Sequence, residues 1–496
     1  MLDTLANAFA LFASIDNVIV LFIGVVVGTV VGAIPGMTTP MAVALTLPFT
    51  FSMPPVTGIL LLLGVYKGGI YGGSITAILI NAPGTPAASC TVLDGYPLAR
   101  KGQARRALDI ALYASCVADF ISNISLILFA GVLASFALKF QSPEVFTLVV
   151  FSLTIIAGVS GDQLLKGLGA AGLGLLLATV GLDLLYGTNR FVFGDVNLMS
   201  GLNFIPVLIG LFAVPEIINY FVKKDVELEQ SKLAGIGASW TDFKSCLKSI
   251  IRGSFIGVIL GAVPGIGGAP SAFLSYSEAR RTSKNKANFG KGEIEGVAAA
   301  EAGNNGVAGA TMIPLLALGI PGDIITAIIL GAFMIHGLRP GPLMFQQNID
   351  LIYAIFIGIM LSSFYLLIVG KASIRIISKI ADIPQRVLFP IVLILCVFGA
   401  YAVNNSTYDV GVMLVMGLVG YAMLKMAIPA APFLIAFILG PLLEDNFRQS
   451  LTISRGDYSI FFSSTICWVF WGLTALTIGL LIWQRVGGVK TEVPLS

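Results

Sequence analysis

GTVVGAIPGMTTP (residues 28–40) and GVILGAVPGIGGAP (residues 257–270) are two versions of one pattern. Gly28 aligns with Gly257, Gly32 with Gly261, Pro35 with Pro264 and Gly36 with Gly265, at constant offset. In each, an apolar helix runs into a Pro-Gly break and resumes as small and hydroxyl-bearing residues. A break frees backbone N–H and C=O groups that lipid cannot satisfy. At membrane depth such backbone survives only where protein buries it or where it lines a wet cavity.

The surroundings of both stretches are membrane-like. The chain of 496 residues is 56% hydrophobic and 11% charged, whereas soluble domains carry roughly twice that charge. Apolar runs of spanning length recur from end to end. The net charge of +3 is uninformative, and no basic stripe suits nucleic acid. The first basic residue is Lys67, so residues 1–15 lack the positive flank of a signal peptide. Cys90, Cys116, Cys246, Cys396 and Cys467 are singletons without metal or redox spacing, and read as small membrane residues.

Working outward, each half has a second break. Residues 56–80 are glycine-rich and stop at Asn81-Ala82-Pro83-Gly84-Thr85-Pro86. Residues 296–318 are Gly/Ala-rich and stop at Gly319-Ile320-Pro321-Gly322-Asp323. Ordinary spans are expected at about 107–138, 144–160, 165–185 and 204–222, then at 351–370, 387–403, 409–427, 430–443 and 460–484. The division predicted is a first membrane repeat, 1–222 (hairpin unit 17–100, spans 107–222), and a hydrophilic cytoplasmic linker, 223–250. A second repeat follows at 251–443 (hairpin unit 251–345, spans 351–443), then an extra span and tail at 444–496.

Loop charge predicts that the repeats are inverted. Residues 50–56 carry no Lys or Arg, while their counterpart 280–291 carries Arg280, Arg281, Lys284, Lys286 and Lys291. The bias reverses at the unit ends: 98–106 holds four basic residues and 336–350 only Arg339. Cytoplasmic loops collect Lys and Arg, so matching loops lie on opposite sides. The fold class expected is an all-α polytopic membrane protein. It has two inverted-topology repeats, each with a re-entrant Pro-Gly hairpin and a second broken helix. The N-terminus is expected outside and the C-terminus, with Arg485 and Lys490, in the cytoplasm.

Paired broken helices in matching halves are the sequence pointer to a transporter's binding site. Helix N-termini offer N–H groups to a carboxylate, and unwound carbonyls suit Na⁺. Neutral donors and acceptors at the breaks are the expected substrate ligands: Thr38, Thr39, Asn81, Thr85, Ser271, Asn304, Asn305 and Thr311. Lys67 joins them, because a cation inside an apolar span is a functional candidate by default. The backbone at Gly36, Pro83, Gly265 and Gly322, with the Asp323 carboxylate, is the expected cation site. Each assignment has a plainer reading. Glycines four apart let membrane helices pack closely, and Asn304 and Asn305 can bond between helices. Asp323 can cap the helix after Pro321-Gly322, and Lys67 can snorkel to an interface. Glu301 is open to a proton or ion role, whereas Glu295 reads as solvated near the cytoplasmic end. The single histidine, His336, reads as a surface residue at an outer turn.

Other chemistries lack their residues. Gly292 stands where a phosphate-binding loop after Lys291 needs Ser or Thr. No zinc set and no Gly-x-Ser-x-Gly elbow occurs. The rival readings are a membrane-embedded enzyme, which needs clustered acid, base or metal groups at depth, and a channel or scaffold.

The chain resembles the large membrane subunit of tripartite tricarboxylate transporters over nearly its whole length. The resemblance rests on AIPGMTTPMAVALTLPF (33–49), YGGSITAILINAPGTPAA (71–88), LDGYPLARKG (93–102), GAVPGIGGAPSAFLSY (261–276) and EAGNNGVAGATMIPLLALGIPG (301–322). It implies a bacterial inner-membrane location, a small membrane subunit as partner, and a periplasmic solute-binding protein that delivers an organic anion such as a di- or tricarboxylate. It further implies drive by an ion gradient, Na⁺ before H⁺, no other cofactor, and an elevator-like movement of the hairpin domain. Lys67 departs from the uncharged residue the family leads one to expect.

Overall fold

A computed structural model describes residues 2–158, 164–183, 187–222, 235–381 and 385–486. The first twelve residues of the expected linker and the tail beyond Val486 lie outside them. The helices run α1 (Leu2–Phe12), α2 (Ile15–Gly32), α3 (Thr39–Thr46), α4 (Pro55–Ile80), α5 (Ala88–Leu98), α6 (Ala104–Ala137), α7 (Ser142–Gly158) and α8 (Leu164–Ala178). They continue α9 (Phe204–Phe212), α10 (Val214–Val222), α11 (Trp240–Gly261), α12 (Gly268–Thr282), α13 (Ile294–Asn305), α14 (Val307–Ala310), α15 (Met312–Leu318) and α16 (Ile324–Ile335). The remainder are α17 (Met344–Gln347), α18 (Ile349–Ala381), α19 (Gln385–Asn404), α20 (Thr407–Lys425), α21 (Ala430–Ile453) and α22 (Thr465–Val486). A two-stranded ribbon pairs Gly181–Leu182 with Asn189–Arg190. Among the described residues nine helical stretches are long and apolar enough to cross a membrane. This is an all-α, multi-pass membrane protein.

Packing divides the chain into two compact units: residues 1–138 with 203–422, and 139–202 with 423–496. Division by sequence repeat separates the two broken-helix regions, whereas packing places both in the first unit.

In that unit, glycines decide how the hairpin helices meet the longer broken ones. α2 and α4 touch along Gly24, Gly28 and Gly32 on one side and Gly64, Gly68 and Gly72 on the other. A Cβ at Gly28 would stand 2.2 Å from the Val65 carbonyl oxygen, and one at Gly68 2.2 Å from that of Val25. The same logic joins α11 to α13, where a Cβ at Gly257 would lie 2.8 Å from the Gly303 carbonyl oxygen. Close backbone approach is what small residues provide where water cannot drive packing. α4 is buried along its entire length despite its many glycines. α22, by contrast, leaves Trp468, Leu476 and Ile482 exposed.

Several boundaries differ from expectation for local reasons. The span expected at 204–222 divides at Ala213, with Pro215 in the first turn of α10. α8 stops at Ala178, short of 185, where Gly181 (φ 121°) turns the chain into the ribbon. In the second unit α21 continues ten residues past 443. Its charged end is paired there: Glu444 with Arg190 (2.5 Å) and Arg448 (2.6 Å), and Arg448 with Asp183 (2.7 Å). α11 begins at Trp240 rather than 251, because Ser239 and Asp242 form a reciprocal capping box.

Candidate functional site

The four breaks are local consequences of sequence. At the first, Gly36 adopts φ 83°, and the Thr38 side chain accepts from the Met41 N–H (3.4 Å) to start α3. α4 ends with Asn81 in the left-handed region (φ 57°, ψ 29°), and the Thr85 side chain accepts from the Ala88 N–H (3.1 Å) to start α5. α11 ends before Pro264, and both Gly265 (φ 87°) and Gly267 (φ 68°) require positive φ. α15 ends on Gly319 (φ 73°), and Asp323 caps α16 by accepting from the Thr326 N–H (2.7 Å). The Thr326 hydroxyl reciprocates by accepting from the Asp323 N–H (2.9 Å). Asp323 is therefore the cap that one of the two sequence readings gave it.

The breaks meet one another. The Gly265 N–H donates to the Gly322 carbonyl (2.8 Å), which ties the second hairpin to the second-half break. The Gly84 N–H donates to Gly73 O (3.2 Å), and a Cβ at Gly84 would stand 2.8 Å from Gly32 O, which does the same in the first half. The halves then interlock. Tyr66 of α4 donates to Asp323 Oδ2 (2.8 Å) and bonds the Thr311 hydroxyl (3.3 Å). A Cβ at Gly268 would lie 2.8 Å from Asn304 Oδ1 and 3.4 Å from Ala87 Cβ, so the loop after Pro83-Gly84 abuts the second hairpin.

Thr39, Ser271, Asn304, Asn305 and Thr311 are buried; Thr38, Thr85 and Asp323 are half-buried; Gly36, Asn81 and Pro83 are exposed at their breaks. Two of the buried set stand out. Thr39 Oγ1 and Asn304 Nδ2 have no hydrogen-bond partner in the protein, although Thr39 is 0% and Asn304 3% exposed. Buried polar groups are nearly always paired, so each orphan calls for an explanation. The other buried ligands of the set have partners within the fold. The Ser271 hydroxyl donates back to Gly267 O (3.0 Å), and Asn305 Nδ2 donates to the Ser115 hydroxyl (2.8 Å).

Lys67 is placed by residues that the sequence reading left out. Its ammonium is 1% exposed, is paired directly with Asp119, and donates to Asn123 Oδ1 (2.7 Å). Asp119 Oδ2 accepts from Ser363 (2.6 Å) and Asn123 (3.1 Å). The pair thus ties α4, α6 and α18 together, and the charge of Lys67 is neutralised there. Ser122 of α6 was also missed. Its hydroxyl donates to Gly306 O (2.6 Å) and accepts from the N–H groups of Gly309 and Ala310 (both 2.9 Å), which stitches the kink between α13 and α14. Asp94 was quoted only within a motif. It accepts from the N–H groups of Gly292 (2.7 Å) and Glu293 (2.8 Å) ahead of α13, and from Tyr276 (2.8 Å). A signal for Asp119 was present, since an acidic residue inside an apolar helix is a site candidate by default. His336 is half-buried rather than at the surface, with Nε2 enclosed beside Gly58.

Broken helices from both halves, meeting inside a helical membrane unit with unpaired polar groups between them, define the class: a multi-pass membrane protein with the architecture of a solute transporter. The chain belongs to the tripartite tricarboxylate transporter TctA family, whose profile matches residues 18–435. It is 39% identical over 468 residues, 94% of this chain and 93% of the relative, to an Agrobacterium vitis protein described as an uncharacterized 52.8 kDa protein in the TAR-I ttuC' 3' region. It is 37% identical over 237 residues, 48% of this chain and 98% of the relative, to an uncharacterized protein in the TAR-II ttuC' 3' region of the same organism. No solved structure matches it.

Proposed function

We propose that this chain is the translocating membrane subunit of a binding-protein-dependent secondary transporter that imports di- or tricarboxylates. Family membership supports the tripartite arrangement, with a small membrane subunit and a periplasmic solute-binding protein as partners. The observation that carries the site is the pair of buried, unpartnered groups, Thr39 Oγ1 and Asn304 Nδ2, beside the breaks. A carboxylate that bonds them would supply what the fold leaves unmet.

In this reading the anion lies against neutral donors, with Thr39, Asn304, Thr38, Thr85 and Asn81 the ligands from the breaks. Helix N-termini at α3, α5 and α16 add partial positive charge. A multivalent carboxylate without counter-charge is prohibitive to desolvate. A cation, Na⁺ before H⁺, therefore enters with it near the carbonyls of Gly36, Pro83, Gly265 and Gly322 and the Asp323 carboxylate. Co-binding also couples uphill import to the cation gradient. The two repeats are inserted with opposite sense in the bacterial inner membrane, the N-terminus outside and the C-terminus inside. The hairpin-bearing domain moves in elevator fashion.

The test is uptake of labelled carboxylates by liposomes holding this chain and its small partner. Runs with and without the binding protein, and with and without an inward Na⁺ gradient, separate the alternatives. Uptake that needs both is the expected result. Non-saturating flux that needs neither would overturn the reading in favour of a channel, and chemical conversion of the solute would favour an enzyme.

A further inference from the structure

Glu301 is a buried carboxyl that the mechanism above does not use. It lies in α13, 0% exposed. Its Oε1 accepts from the Thr91 hydroxyl of α5. Its Oε2 accepts from the Ser115 hydroxyl of α6 (3.0 Å) and from Asn305 Nδ2 (3.3 Å). The cage therefore draws on both halves of the sequence.

Among the described residues no cation offsets this carboxyl. On the helices packed against α13, the buried titratable groups of α4 are Tyr66, Lys67 and Tyr71, and those of α5 are Cys90 and Asp94. Those of α6 are Asp109 and Asp119, that of α11 is Cys246 and that of α12 is Tyr276. Lys67 alone among these is cationic, and Asp119 and Asn123 hold it. Among the described residues Glu301 has no ion pair. A buried carboxylate without counter-charge is too costly to persist.

The cage suits a group that changes state. Hydroxyls both donate and accept. The ionised carboxylate accepts from Thr91, Ser115 and Asn305, while the protonated acid donates to a hydroxyl, with the same atoms in place. Asp119 differs, because Lys67 is paired directly with it.

We propose that Glu301 takes up and releases one monovalent cation, H⁺ or Na⁺, in each transport cycle. The inference rests on the cation-coupled reading above and adds to it the coupling carboxyl. Two measurements test it. In reconstituted vesicles, Glu301→Gln is expected to keep substrate exchange under equal gradients and to lose gradient-driven accumulation, falling to the equilibrated level. In the unmodified protein, a hydrophobic carbodiimide, which attacks protonated carboxyls, is expected to label Glu301. Labelling that falls when Na⁺ is added at fixed pH assigns Na⁺; labelling that falls only as pH rises assigns H⁺. Absence of labelling at acidic pH, or labelling indifferent to both cations, would overturn the proposal even where Glu301→Gln fails to fold. Accumulation by Glu301→Gln equal to that of the unmodified protein would also overturn it, with the transport reading intact. If the unmodified protein accumulates substrate under neither gradient, the cation-coupled reading itself falls.

Discussion

α4 and the α13–α15 series each run into a Pro-Gly break, yet they hold their buried charged groups differently. α4 is one unbroken helix of 26 residues, and its one charge, Lys67, is locked to Asp119. The α13–α15 series is kinked and stitched by Ser122, and carries Glu301 and Asn304 without a charge partner or without a donor's acceptor. Buried polar groups that are fully paired rigidify a core, while partly paired ones wait for something. Lys67 with Asp119 thus forms a strut, whereas Asn304, like Thr39 of α3 and Tyr71 of α4, keeps a buried polar atom that the fold leaves unpaired.

The comparison breaks most visibly at Lys67. Lys67→Met leaves Asp119 buried without its cation, and the expected loss is about 3–5 kcal/mol in thermal or denaturant unfolding. The double variant with Asp119→Leu should recover most of it. A small loss in the single variant would mean that the strut is not held by this pair. Next comes the glycine contact. Gly28→Ala places a Cβ 2.2 Å from a backbone oxygen and Gly257→Ala places one at 2.8 Å. Both are expected to cost about 1–3 kcal/mol, with the larger loss at position 28.

The caps sharpen the contrast further. Asp323→Ala removes a two-way capping box and a Tyr66 bond, for about 1–2 kcal/mol. Thr38→Ala removes a single bond of 3.4 Å and should cost less than about 1 kcal/mol. The smallest effect lies at the ion pair of Arg106 with Asp242. The Arg106 guanidinium, aided by Ser239, holds the Asp242 carboxyl down at about 2 against a burial effect that raises it. A lowered carboxyl stabilises above its unfolded value of about 3.9, and that stability is lost as pH falls through the folded value. Asp242→Asn should therefore cost less than about 1 kcal/mol at neutral pH. Its unfolding temperature should converge with that of the parent in strong acid.

The sequence was legible where physics is local. Pro35-Gly36, Asn81, Pro264-Gly265 and Gly319 announce breaks because proline ends helices and the left-handed region selects Gly and Asn. Packing is one of two readings the sequence leaves open for the glycines, and four-residue spacing, which puts them on one helix face, matches the close contacts of Gly24, Gly28 and Gly32. The partners of buried polar groups were not legible. Lys67 and Asp119 are 52 positions apart, and Thr91 and Glu301 are 210 apart. No periodicity links such pairs; only the fold does. The same holds for Ser122, whose role depends on a kink that α13 and α14 make far along the chain. For the site, neutral donors at the breaks could be nominated, but which of them the fold leaves unpaired could not.

That last distinction is the account's central claim, and thermal unfolding with and without carboxylate tests it most directly. Thr39→Val and Asn304→Leu delete groups that make no hydrogen bond in the fold, so stability without ligand should hold or rise. The stabilisation that bound carboxylate confers on the parent should be lost. Variants that lose stability on their own and keep the full ligand-induced shift would contradict it, and would return Thr39 and Asn304 to packing.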